Sequence, residues 1–112
     1  MTKKLRDEVY LKYDKHCAYC GKEITIEKMQ IDHIISKRLG GTNNLENLNP
    51  SCRRCNYYKA GNTLEGFRKA LLTLHERLLK VYIVRIAIDY GLLELKPFNG
   101  VFYFEKVSKK EE

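Results

Sequence analysis

Apolar and polar positions change rhythm several times along the chain. Leu5, Val9 and Tyr13 recur at steps of four, which predicts a short amphipathic helix over residues 5–14. Met29 to Ile34 alternates apolar with polar, as a strand does, and the strand is expected to end at Asp32-His33. Gly40-Gly41-Thr42-Asn43-Asn44 is loop by composition. Leu48-Asn49-Pro50 allows only a brief second strand, and Ser51 is placed to cap a helix carrying Cys55, Asn56 and Lys59. From Thr63 onward Leu64, Phe67, Leu71, Leu74 and Leu78 predict one helix with a continuous apolar stripe. Val81–Tyr90 has β-branched residues but helical spacing at Ile83, Ile86, Ala87 and Tyr90, so a helix is expected, with Gly91 beyond its end. Leu93–Phe98 and Val101–Glu105 flank Asn99-Gly100 and predict a terminal β-hairpin. Residues 108–112 are expected to fray.

Composition narrows the class. The hydrophobic fraction of 44% and charged fraction of 31% over 112 residues describe one soluble globular domain with a modest core, and the helices and strands predicted above make its class α+β. No run approaches the ~18 apolar residues of a membrane helix, and Thr2-Lys3-Lys4 does not read as a secretory leader. The expected location is therefore a reducing cytoplasm, or that of a host cell if a phage encodes the chain. The formal charge is +7, with a pI near 9.3. Between Ser36 and Lys59 five bases (Lys37, Arg38, Arg53, Arg54, Lys59) face one acid, Glu46. Such a concentration suggests a polyanionic partner.

The cysteines change the picture most. Cys17 and Cys20 form one Cys-x-x-Cys pair, Cys52 and Cys55 another, with 31 residues between and no cysteine left over. In a reducing compartment this spacing reads as a four-thiolate zinc site rather than a disulfide or redox pair. A closed shell of four thiolates has no open position for substrate, so the zinc is expected to be structural.

Between the cysteine pairs lie Ile31-Asp32-His33-Ile34-Ile35 and Gly40-Gly41-Thr42-Asn43-Asn44-Leu45-Glu46-Asn47-Leu48, and Asn56-x2-Lys59 follows Cys55. With the cysteines, this order resembles an HNH nuclease of the cysteine-bearing ββα-metal fold, in the compact phage type. The resemblance implies a zinc-stapled core over about residues 10–62, preceded by the N-terminal helix and extended by helices and the hairpin over 63–108. It also implies metal-dependent hydrolysis of DNA phosphodiester bonds.

Each implied role matches a residue's chemistry. His33 is the general base, because neutral imidazole can accept the proton of an attacking water. Asp32 and the amide oxygen of Asn56 are hard ligands for a catalytic Mg²⁺ or Mn²⁺. Asn47 matches the family asparagine that braces the loop and orients the base. Arg53 and Lys59 flank Asn56 at steps of three and are expected to contact phosphates, as are Lys37 and Arg38. Adjacent strand residues point to opposite faces, so Asp32 and His33 share a site only where the strand ends or bulges.

Two other readings use the same residues. One is a non-catalytic zinc module that binds nucleic acid through the basic face. The other is an interaction domain using exposed hairpin aromatics Phe98, Phe102, Tyr103 and Phe104. The C-terminal half also offers a surface on which two copies could form a homodimer.

Overall fold

In the computed structural model, which describes residues 1–110, two short strands are surrounded by six helices. Helix α1 (Lys3–Leu11) is capped by Thr2, whose hydroxyl accepts from Leu5 N at 3.2 Å. Strand β1 (Gln30–His33) pairs antiparallel with β2 (Leu48–Ser51), and Asp32 stands opposite Asn49. Helix α2 (Arg53–Lys59) lies against β1. Then come α3 (Leu64–Leu72), α4 (Leu74–Leu78), α5 (Tyr82–Asp89) and α6 (Tyr103–Lys110). The class is α+β. No helix among the described residues is long and apolar enough to cross a membrane.

The core has two parts. Val9, Met29 and Leu48 bury the inner face of α1 against the strands. Lys12 ties this helix to the strand entry, its ammonium reaching the carbonyls of Leu45 and Leu48 at 2.9 and 2.7 Å. The larger cluster gathers Cys17, Ala18, Tyr19, Cys52, Phe67 and Phe102. The first cysteine pair is drawn onto β2 by a bond from Ala18 N to the Pro50 carbonyl at 2.8 Å.

Three expectations need correction. The α2 cap is Cys52, whose sulfur accepts from Cys55 N at 3.3 Å, while Ser51 donates its hydroxyl to the Cys52 carbonyl. The leucine stripe from Leu64 to Leu78 is two helices. Thr73 breaks it, leaving helical ψ and turning its hydroxyl back onto the Lys69 carbonyl at 3.0 Å.

The terminal hairpin does not form: residues 93–98 are irregular and 103–110 are helical. Asn99-Gly100 still turns the chain, with Asn99 Oδ1 accepting from Val101 N at 3.0 Å. The chain then commits Phe102 to the core, stacked on Phe67 at 5.2 Å and edge-on to Tyr19 at 5.2 Å. Tyr103 N and Phe104 N donate to the Tyr19 and Ala18 carbonyls, which takes the backbone away from residues 93–98. Glu105 accepts from Phe102 N at 2.8 Å, a capping arrangement that favours helix. The proposed aromatic docking face goes with the hairpin: Phe102 is buried and Phe98, Tyr103 and Phe104 are half-buried. Of the expected frayed tail, Ser108–Lys110 belongs to α6, and Glu111 and Glu112 lie outside the described residues.

Candidate active site and cysteine centre

The four cysteine sulfurs all lie within 4.8 Å of one another, with Cys20 and Cys52 at 4.0 Å. Tetrahedral thiolates about 2.3 Å from zinc would be about 3.8 Å apart, so the donor set fits that ion with slight contraction. Two local folds build it. A tight turn, with Gly21 N donating to the Cys17 carbonyl at 3.0 Å, presents the first pair. The start of α2 presents the second. Their crowding has an electrostatic signature: hydrogen bonds from Cys20 and Cys55 push Cys17 down, and the same pairing pushes Cys20 and Cys55 up. Such a cluster resists more than one negative charge, and a dication at its centre removes the resistance.

Asp32 is buried on the inner side of β1. The ammonium of Lys59 lies 3.2 Å from each of its carboxylate oxygens, and the phenol of Tyr19 donates to Oδ2. Asn49, directly opposite on β2, donates to the Tyr19 oxygen at 3.4 Å. Burial pushes the Asp32 carboxyl above the usual carboxylate range, opposed by Tyr19 and Lys59. Burial, then the neighbouring Asp32 charge, pushes the Tyr19 phenol up, so it remains a donor. Both carboxylate oxygens are thus taken by donors from within the chain, the Lys59 ammonium and the Tyr19 phenol.

His33 ends β1 and is half-buried, its Nε2 at 2.8 Å from Asn43 Oδ1. Asn47 does not touch the imidazole. Its side chain accepts from Ile35 N at 2.9 Å and donates to the carbonyls of Ile35 and Thr42 at 3.1 and 2.8 Å. These three bonds fasten the loop that carries Asn43. The loop also depends on Gly41, where a Cβ would lie 1.6 Å from the Ile35 carbonyl oxygen.

The basic residues divide. Lys37, Arg38 and Arg53 are exposed; Lys59 is not, being 1% exposed. Beyond Asp32, its ammonium donates to the His33 carbonyl at 3.2 Å. Its position explains this. Cys52, Cys55, Asn56 and Lys59 fall at i, i+3, i+4 and i+7, one helical face, and the cysteines turn that face inward. Asn56, half-buried, joins Arg53, Arg54, Tyr57, Lys22 and Lys28 around a cleft of about 730 Å³ that also includes Gln30. Gln30 and Asp32 are two apart on β1 and share its face, but neither Asp32 nor His33 lines this cleft, and Lys59 is the α2 residue that reaches the carboxylate.

The HNH endonuclease family model matches residues 17–72, half of the chain and the whole of this arrangement. The chain belongs to the HNH endonuclease family. It is similar to the CRISPR-associated endonuclease Cas9 of Corynebacterium diphtheriae, with 50% identity over 48 residues. That stretch is 42% of this chain and 4% of the relative, so the chain spans a small part of the relative's length. No solved structure matches it. Endonuclease activity is what members of the HNH family share.

Sequence reasoning about this HNH chain missed Tyr19, Asn43, Asn49 and the inward turn of Lys59. Tyr19 lies between two cysteines, and nothing in its spacing points to Asp32, thirteen residues away. Lys59 was legible: the cysteines fix the inner face of α2, and position i+7 shares it.

Proposed function

We propose that the protein is a metal-dependent DNA endonuclease. His33 acts as general base, and Asp32 with Asn56 holds a divalent ion, Mg²⁺ or Mn²⁺. Cys17, Cys20, Cys52 and Cys55 hold a structural zinc. The observation that carries this reading is the end of β1. There a buried carboxylate faces inward, and the next residue is an imidazole held outward by Asn43.

Asp32 and Asn56 offer only hard oxygen donors, the chemistry that Mg²⁺ and Mn²⁺ prefer. A divalent ion there supplies positive charge to the phosphate oxygens and the departing 3′ oxygen. The remaining work falls to the chain. His33 takes the proton of the attacking water, its ring aimed by Asn43 and its loop braced by Asn47. Arg53 at the cleft rim and Lys37 and Arg38 beyond the strand contact flanking phosphates. The Arg38 guanidinium, 4.0 Å from where a Cβ on Gly61 would sit, extends this basic line past α2. Lys59 supports the site from inside by balancing Asp32 and gripping the His33 carbonyl. Phe67 and Phe102 packing on Tyr19 supports treating residues 1–112 as one domain. Thiolate ligands fit a reducing compartment such as the cytoplasm.

The test is cleavage of supercoiled plasmid in Mg²⁺, Mn²⁺ and EDTA by the wild type and His33→Ala. Cleavage should need the divalent ion and fall by at least about 10²-fold in the variant, as expected for removing a general base. Zinc content and DNA binding should be unchanged. Undiminished nicking by His33→Ala refutes the base assignment. A wild type that binds DNA without cutting it under any ion leaves the non-catalytic binding module.

A further inference from the structure

Helix α5 exposes a face that the other described residues leave uncovered. Ile83 is 73% exposed, Tyr82 70%, Tyr90 77% and Leu92 81%; Leu79 and Ile86 are also exposed. None of its eight residues is buried, and only Val84, Ala87 and Ile88 are half-buried. An eight-residue helix does not hold itself together in water without an apolar partner, and a contiguous apolar patch of this kind marks an interaction surface.

The charges say what covers it. From Leu79 to Leu95 the charged residues are Lys80, Arg85, Asp89 and Glu94. Their signs run plus, plus, minus, minus, and they sit symmetrically about Ala87: Arg85 mirrors Asp89, and Lys80 mirrors Glu94. Reversing the direction of the segment therefore exchanges every charge for its opposite. The patch carries no net charge, which disfavours a polyanion. Ile83, Ile86 and Tyr90 step by three and four along α5 and its C-cap, the spacing of a seam between two helices.

We propose that α5 pairs antiparallel with α5 of a second copy of this chain, about a two-fold axis at the level of Ala87. In that arrangement Ile83, Ile86 and Tyr90 of each copy cover one another. Arg85 and Asp89, four apart on one exposed edge, meet Asp89 and Arg85 of the other copy. A two-fold interface uses the same patch on both copies and so must be complementary to itself, and the charge order supplies that complementarity. The pairing is independent of the nuclease reading, and its test involves no cleavage.

The test is sedimentation equilibrium of the full chain over a range of concentrations, with zinc content and circular dichroism confirming the fold of each variant. The wild type should be a dimer. Ile83→Glu, at an exposed position, should be monomeric. Arg85→Asp or Asp89→Arg alone places two like-charged pairs in the interface and should weaken association at least about tenfold, the scale of about 1.4 kcal/mol. The double reversal R85D/D89R restores both pairs and should dimerise like the wild type. A wild type that is monomeric throughout overturns the proposal, including the case in which the face belongs to a different protein. So does a dimer indifferent to Ile83→Glu, or a double reversal no better than either single change.

Discussion

Lys59→Met removes one charge from a buried ion pair while keeping most of the side chain's volume. The ammonium sits 3.2 Å from both Asp32 oxygens, with the lysine side chain fully buried and that of Asp32 4% exposed. Its loss leaves a buried carboxylate with the Tyr19 phenol as its remaining strong donor. Breaking such a pair from one side costs about 3–5 kcal/mol, a large share of the roughly 6–17 kcal/mol expected for a chain of this length. At about 4 °C per kcal/mol the melting temperature should fall by about 12–20 °C at neutral pH. The pH dependence identifies the cause. Without Lys59 the folded-state pKa of Asp32 rises further above its unfolded value, so the penalty is full above the folded pKa and disappears as the carboxyl protonates. The gap between wild type and variant should therefore narrow as pH falls from neutral through the raised pKa of the Asp32 carboxyl. Thermal unfolding with zinc supplied checks this, alongside D32N/K59M, which replaces the pair by neutral groups and should recover part of the loss. A gap that stays constant with pH, or a double variant no better than Lys59→Met, would refute the claim that the lysine compensates a buried charge.

Other changes test the remaining framework. Gly41→Ala drives a Cβ into the Ile35 carbonyl, so the loop must move; several-fold slower plasmid nicking and a lower melting temperature are expected, and unchanged values would show the approach is slack. Cys52→Ser keeps a side chain able to cap α2, so released zinc and a lower melting temperature would report the metal centre itself, measured by a chromogenic chelator during unfolding. Phe102→Ala empties the space beside Phe67 and Tyr19 and should cost about 3–5 kcal/mol in denaturant unfolding; a cost below about 1 kcal/mol would mean the C-terminal segment is not part of the core.

Local chemistry made much of this protein legible before any fold was known. Two Cys-x-x-Cys pairs point to one four-sulfur cluster with the donor set for zinc, because sulfur reach and ligand count leave little choice. Asp32-His33 at a strand end and Asn56-x2-Lys59 on a helix follow from short-range periodicity, as do α1 and α5. Contacts between distant segments decided most of the rest, and one local side-chain bond decided the break at Thr73. Asn99-Gly100 is a strong hairpin signal, yet burying Phe102 against Phe67 and Tyr19 outweighs two exposed strands, and Glu105 then favours helix. Thr73 ends α3 through a bond to its own preceding turn, which the leucine stripe does not encode. Lys59 read as a phosphate contact, and the clustered cysteines turn it inward onto Asp32. Sequence spacing determines which side chains share a face; only the packed chain decides what that face meets, because burial and charge pairing depend on residues dozens of positions away.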